Sequence, residues 1–539
     1  MACKHYENLV IPEQSIEHIP LKKKLSCIFI AVTLLCSPSY APLAVAANLP
    51  DLGDASDAVL SEAQERAIAK RIMFDVRGER SVVSDPELVD YINQLGNRLV
   101  AAAGDATTDQ RRTFEFFLLE DDSINAFALP GGVIGAHTGL MIAAESESEL
   151  AGVMGHEVAH VTQRHIARGA AEQKNAALMS IATLALAVLA ARSGGSNSGQ
   201  ATEAALMSGQ ALAIQAQLDY TREFEREADR VGIVMLQRAG FDVHGMANFF
   251  ERLLRLNRHN DGKTPGYLRT HPLTTERISD MQNRIGLVTK NSVDSSLDFR
   301  FARAKLRATS MTPNDGETYF RGQITEKSIL RDIADVYGLI LSHKKQRNFA
   351  KAENELRKLG TQAQNNSWFE LVAADLKAEQ KQWKEAVALY RQGAQKYPGK
   401  RGFTYGYIDA LYESGQPDEA LVAVNDKLGP ALANNEDYRL HELAAKGYAI
   451  KGTRVSQHRS LAEAYYRRGN LTGAIEQLDI AIRAKDGNYY ETTAVESRRR
   501  EFRSEYKNRL LLPGEKRQPE GRETRDNRDE RTGEGRNPS

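Results

Sequence analysis

Apolar residues recur along this chain with two periods, and the switch between them marks its organisation. Leu60, Ala63, Ala67 and Ile72 fall on one helical face, and Pro86 opens a second amphipathic stretch over residues 88–100. The period then shortens. Residues 113–119 form an apolar, aromatic run, and 124–129 and 133–135 flank Pro130-Gly131-Gly132. That pattern predicts a strand followed by a β-hairpin. Helical spacing returns and holds to about Ile285, with Leu150, Val153, Met154, Val158 and Val161 marking a helix over 147–164. One stretch, 176–191, has sixteen residues without a charge and is followed by the Ser-Gly-rich 193–199. It is short for a membrane span. We read it as one arm of a helical hairpin, with 201–218 as the other; composition leaves open whether the pair is packed, mobile or in peripheral contact with a membrane.

From about Ile329 the helical pattern repeats itself. Asn348-Phe349-Ala350-Lys351-Ala352-Glu353 resembles Gln382-Trp383-Lys384-Glu385-Ala386-Val387, and both resemble Gln416-Pro417-Asp418-Glu419-Ala420-Leu421 and Asn470-Leu471-Thr472-Gly473-Ala474-Ile475. The shared alanines, at 352, 386, 420 and 474, are spaced by 34, 34 and 54 residues. A 34-residue period is that of the tetratricopeptide repeat, whose small residue lets two antiparallel helices approach closely. Leu356, Tyr390, Val424 and Leu478 follow one helical turn later, all apolar. Gly415 and Gly469 take equivalent turn positions, and Tyr397-Pro398 closes one unit. These features predict about four repeats with one irregular join.

The two ends of the chain read differently. Lys22, Lys23 and Lys24 precede an apolar run over 25–35, and Ala44-Val45-Ala46-Ala47 supplies small residues beyond it. That is the order of a secretory signal peptide, predicted here as 1–46 with cleavage after Ala46. The apolar run is short for an uncleaved anchor, and Leu35 before Cys36 is a poor context for lipid attachment. Residues 513–539 contain no apolar side chain, so they are expected to form a disordered charged tail.

Composition narrows the function. A length of 539 residues predicts several domains. The formal charge is zero, with 71 basic and 71 acidic residues, which argues against a nucleic-acid partner held by a bulk positive field. Cys3, Cys27 and Cys36 are the only cysteines and all belong to the leader. A mature chain without cysteine suits an oxidising compartment such as a bacterial periplasm, and any metal in it must rest on His and carboxylate ligands.

Those ligands have a candidate. His156-Glu157-Val158-Ala159-His160 is an H-E-x-x-H motif on the helix over 147–164. Four residues apart, His156 and His160 share a face and can hold one Zn²⁺, while Glu157 beside them can take a proton from water. Zinc acidifies water and polarises a carbonyl, which is the chemistry of peptide hydrolysis near neutral pH. Gln163 and Ile166 stand where a metzincin needs Gly and a third His, so that subclass is excluded. His165 would sit about 140° around a continuous helix from His160, out of reach of the same ion. A carboxylate from a second helix is the alternative. Glu225 and Asp229 form a pair on one face, Glu225 assigned to the metal and Asp229 to orienting a ligand histidine. His271 precedes Pro272 and is therefore in an extended or turn segment. It could serve as an oxyanion donor, a fourth zinc ligand or a structural residue, and Arg277 could support the first two roles. Asn125, Ala126 and Phe127 could bind substrate as an added strand, or be only part of the hairpin.

His156-Glu157-x-x-His160 followed by Glu225-x-x-Ala228-Asp229 resembles the M48 family of zinc metallopeptidases. The segments 125–132 and Thr270-His271-Pro272-Leu273 are similar to that family too. The resemblance implies an α+β zincin-like domain, mostly α with a small sheet, over 50–300, with one zinc ion per chain. An all-α tetratricopeptide solenoid over 329–500 would follow. The order of leader, peptidase and repeats is similar to periplasmic members in Gram-negative bacteria. It implies unfolded or misassembled outer-membrane proteins as clients and the β-barrel assembly machinery as a partner of the repeats. Thr221-Arg222 departs from the Ser-Arg common before the ligand glutamate, and the tail has no counterpart. Two functions follow: an endopeptidase for misassembled exported proteins, or a chaperone or scaffold with little turnover. Glu157 favours the first, since a scaffold needs no general base.

Overall fold

Local signals start the first helices. Ser61 and Gln64 form a reciprocal capping box at the head of α1 (Glu62–Gly78). Asp85 accepts from the Leu88 amide, and Pro86 takes the first position of α2 (Pro86–Ala102). The computed structural model describes residues 59–104, 113–172, 222–259, 265–286, 294–324, 329–429 and 437–510. The expected leader, the apolar hairpin and the charged tail lie outside the described residues.

The predicted strand and hairpin are present as β1 (Glu115–Leu119), β2 (Ala126–Leu129) and β3 (Val133–His137). They form one sheet in the order β1-β3-β2, with β3 parallel to β1 and antiparallel to β2. Alternation along the strands divides their side chains between two layers. Phe117, Leu119, Leu129 and Val133 pack on Ala69, Ile72, Met73 and Val76 of α1. Phe116, Leu118, Ala126, Ala128, Ile134 and Ala136 join the main core on the other side. There, after α3 (Thr138–Ala143), runs α4 (Glu147–Thr162), whose sixteen residues are all buried. A helix enclosed on every side carries its polar residues into the core, so each needs a partner or a task.

The helices α5 (His165–Glu172), α6 (Arg222–Arg238), α7 (His244–His259), α8 (Gly266–Thr270) and α9 (Thr275–Ile285) complete the surroundings of α4. Next come α10 (Leu297–Ser310) and α11 (Pro313–Gln323), and then the array begins with α12 (Ile329–Lys345) and α13 (Phe349–Lys358). It continues through α14 (Ser367–Glu379), α15 (Trp383–Lys396), α16 (Arg401–Glu413), α17 (Pro417–Leu428), α18 (Tyr438–Ile450), α19 (Arg454–Arg467), α20 (Leu471–Ala484) and α21 (Tyr489–Leu510). The repeat alanines Ala352, Ala386, Ala420 and Ala474 are all fully buried, as close helix pairing demands. In the irregular 54-residue interval, two helices among the described residues, α18 and α19, stand between α17 and α20 instead of one. No helix among the described residues is long and apolar enough to cross a membrane.

The main core runs without a break from Val83 to Leu376, so the first helices of the array share it with the sheet and α4. Tyr337, Trp368 and Phe369 surround Phe301 of α10 at ring separations of 5.3–5.7 Å. Further along, Arg401 of α16 reaches Asp90 of α2 at 2.6 Å. Near its end the array touches α1. Tyr466 meets Phe74 edge-on at 5.4 Å, and the Arg509 guanidinium lies 3.7 Å from the Phe74 ring centre.

Gly469 is where that last contact is closest. Its φ is +73°, and a Cβ there would overlap the Phe74 carbonyl oxygen and lie 3.0 Å from the Gly78 nitrogen. Gly415 has a similar φ of +78° but open space around it. Gly415→Ala is therefore expected to lose only the left-handed strain, about 1–2 kcal/mol. Gly469→Ala adds a backbone clash and is expected to lose about 2–5 kcal/mol. Urea unfolding of the two variants measures the difference; equal losses would mean that the contact with α1 carries no stability.

Candidate metal centre

α4 and α6 come close enough to share a ligand because glycines face each other. The position a Cβ would take on Gly232 lies 3.5 Å from the Gly155 carbonyl carbon, and the same Cβ would press on Met246 at 2.8 Å. One turn along α4, His156 and His160 bring their Nε2 atoms to 3.0 Å. From α6, Glu225 places Oε2 3.5 Å from His156 Nε2 and Oε1 3.4 Å from His160 Nε2. His271, the C-cap of α8, points Nδ1 at the same spot, 2.9 Å from Glu225 Oε1 and 3.4 Å from His156 Nε2. One donor atom from each of these four buried residues lies within 4.8 Å of all the others.

The spacing fits a small divalent cation. Tetrahedral bonds of about 2.0–2.1 Å to nitrogen and oxygen would set ligand atoms about 3.3 Å apart. The individual pair distances just given, 2.9–3.5 Å, bracket that value within a set spanning at most 4.8 Å. Nitrogen and carboxylate donors without sulfur suit zinc and its neighbours. Glu157 points into the same space. It is fully buried, its carboxylate oxygens have no side-chain hydrogen-bond partner, and Oε1 is 3.6 Å from His271 Nε2. Burial pushes its carboxyl above the usual range, opposed by the charges of His271 and His156.

A second ring of polar groups holds the first. His156 Nδ1 lies 3.0 Å from Asp229 Oδ1. Arg277 grips Asp229 with Nε and Nη2, each at 2.8 Å, and reaches Glu225 Oε2 at 2.6 Å through Nη1. The same Nη1 donates to the Pro272 carbonyl at 2.8 Å. One buried guanidinium thus ties both acids of α6 to the turn that carries His271. Burial alone would raise both acids. For Glu225 the charge of His271 and hydrogen bonds with the three histidines outweigh it and hold the carboxyl well below its ordinary value. For Asp229 the Arg277 and His156 contacts do the same. Burial lowers His156, yet Asp229 and Glu225 draw it up to about 9, so an incoming cation must displace a proton there.

His165 is placed differently from the expectation. The helix does not continue to it: α4 stops at Thr162, Arg164 turns the backbone with φ +55°, and α5 begins at His165. The ring gives no atom to the donor cluster. Instead its Nδ1 lies 2.9 Å from Nδ1 of His160, on the side away from the cluster.

Of the proposed substrate segment, Ala126 and Phe127 begin β2, an edge strand of the sheet. Asn125 precedes them, and the Tyr267 amide donates to the adjacent Ile124 carbonyl at 3.1 Å. The segment bearing His271 is therefore fastened to the start of that strand.

Residues 86–285 match peptidase family M48, and 377–446 match a tetratricopeptide repeat. The chain is 32% identical over 465 residues to the beta-barrel assembly-enhancing protease of Escherichia coli, covering 86% of this chain and 92% of that protein. It belongs to peptidase family M48. As a member it is a metalloprotease, with an M48 domain followed by a helical repeat region. A putative beta-barrel assembly-enhancing protease of Vibrio cholerae is 38% identical over 352 residues, 64% of this chain and 71% of that one. A mitochondrial metalloendopeptidase of Arabidopsis thaliana is 27% identical over 239 residues, 44% of this chain and 45% of its own.

Two parts of this M48 centre leave little or no trace in the sequence. Arg277 is expected there only to support His271, and nothing in the sequence signals its grip on two acids. The His165 contact had no signal beyond a third histidine close to the motif.

Proposed function

We propose that the chain is a periplasmic zinc endopeptidase acting on unfolded or misassembled outer-membrane and other exported proteins, its repeats holding clients or the β-barrel assembly machinery. The observation that carries the catalytic part is the buried carboxylate of Glu157, without a side-chain hydrogen-bond partner, beside a four-donor cluster. The names of the beta-barrel assembly-enhancing relatives support the client class and, with the leader-like N-terminus, the compartment.

In this reading His156, His160 and Glu225 hold one zinc ion, and Asp229 orients His156. Bound zinc would supply Lewis acidity toward water and the scissile carbonyl. Glu157 takes a proton from the attacking water and passes it to the leaving amine. The 125–127 segment at the edge strand aligns the client by backbone pairing, which suits varied unfolded sequences. His271 has Nδ1 inside the donor cluster, so we read it as a fourth ligand of a closed, resting site. Withdrawal of that turn would open the site and leave His271 to stabilise the oxyanion. We take residues 50–300 as the peptidase domain and 329–500 as the repeat domain.

The complete burial of the donors favours a second reading, a chaperone or scaffold with little turnover. Metal analysis of the mature chain, paired with cleavage of casein and an unfolded outer-membrane protein with and without chelator, separates the two. We expect about one zinc per chain and cleavage that chelator stops and zinc restores. A preparation that takes up no zinc and cleaves nothing would establish the scaffold instead.

A further inference from the structure

The two histidines of α4 are held from behind by different chemistry. Behind His156 stands a carboxylate, Asp229, paired with Arg277. Behind His160 stands another imidazole. His165 Nδ1 is 2.9 Å from His160 Nδ1, His165 Nε2 is 3.2 Å from Glu227 Oε2, and Arg168 Nη1 closes the series at 2.9 Å from the same oxygen. The His165 ring is 1% exposed and lies flat on Phe224, with centroids 4.6 Å apart and planes 10° from parallel.

We infer that His165 is a positioning residue, fixing the tautomer and orientation of His160 through a histidine–histidine–glutamate relay. The proton count leaves one arrangement. For His160 to offer the lone pair of Nε2 to the cluster, its proton must sit on Nδ1. That proton needs an acceptor, and the facing atom is His165 Nδ1. His165 then carries its own proton on Nε2, where Glu227 accepts it. Glu227 therefore sets the tautomer of His165, and His165 that of His160, two links from the cluster. Stacking on Phe224 keeps the His165 ring in the plane this needs, and the turn at Arg164 aims it back at α4.

The inference rests on His160 being a metal ligand, and the experiment separates the two. Apo protein is titrated with zinc against a chromogenic chelator, and apo thermal unfolding is recorded alongside. His165→Phe keeps the ring stack and removes the acceptor; it is expected to bind zinc about 10–100-fold more weakly. His165→Asn places an oxygen near the position of Nδ1 and is expected to bind several-fold more tightly than His165→Phe, although it packs worse. Glu227→Leu, at a half-exposed site, is expected to weaken binding several-fold with little change in apo stability. If wild type binds no zinc, the metal-site reading itself fails. If wild type binds and His165→Phe or Glu227→Leu matches it, the relay has no role. Affinity that falls only in step with apo stability, with Asn no better than Phe, would also overturn the inference.

Discussion

Glu157→Gln is expected to lower cleavage of an unfolded client by at least about 10²–10⁴-fold, the usual contribution of a general base, while zinc content stays at one per chain. The substitution is nearly isosteric in a fully buried position, so the packing of α4 should survive. It removes the group able to take a proton from water and leaves the four candidate donors untouched. Glu157 Oε1 lies 3.6 Å from His271 Nε2, and neither carboxylate oxygen has a side-chain hydrogen-bond partner that the change would break. Stability should therefore move by little, and client capture should persist. Protease assays and metal analysis of the same preparation measure both halves. Wild-type cleavage by Glu157→Gln would refute the role given to Glu157, and loss of zinc in the variant would mean that the carboxylate is itself a ligand.

Arg277→Met is expected to destabilise the metal-free chain by about 3–5 kcal/mol, the range for stranding a buried charge. Arg277 is 3% exposed, and its partners Glu225 and Asp229 are 1% and 2% exposed. Methionine fills much of the volume but leaves both carboxylates facing each other without their cation. Zinc should recover part of the loss, because a cation at the cluster offsets the charge of Glu225. The pH dependence has a definite sign. The Asp229 carboxyl, which Arg277 grips, is held below its ordinary value of 3.8 in the folded chain. That pairing thus stabilises the fold above 3.8 and is lost as pH falls through the lower, folded value. The gap between wild type and Arg277→Met should be widest near neutral pH and narrow in acid. Urea unfolding at pH 7 and at a series of pH values below the ordinary 3.8 of Asp229, with and without zinc at pH 7, tests this; a constant gap would locate the effect in packing.

The sequence by itself determined the pieces that depend on short spacing. Residues four apart on a helix share a face whatever surrounds them, so His156 and His160 were legible as a pair. Pro130-Gly131-Gly132 between apolar runs gave the hairpin of β2 and β3, and the 34-residue spacing gave the repeats. The spacing of a carboxylate pair one turn apart brought out Glu225 and Asp229. Tertiary structure decided what those pieces meet. His271 lies 115 residues from His156, and Arg277 lies 48 from Asp229. Neither contact leaves a periodic trace, because it is set by how whole helices pack. The same holds for the position of β2 at the sheet edge and for the unbroken core joining the repeats to the peptidase part. His165 shows the reason most clearly. Counting residues on one helix sends it away from His160, while a single left-handed residue at Arg164 starts a new helix and returns the ring to it. Spacing fixes directions within an element; only the turns and the packing between elements fix where those directions cross.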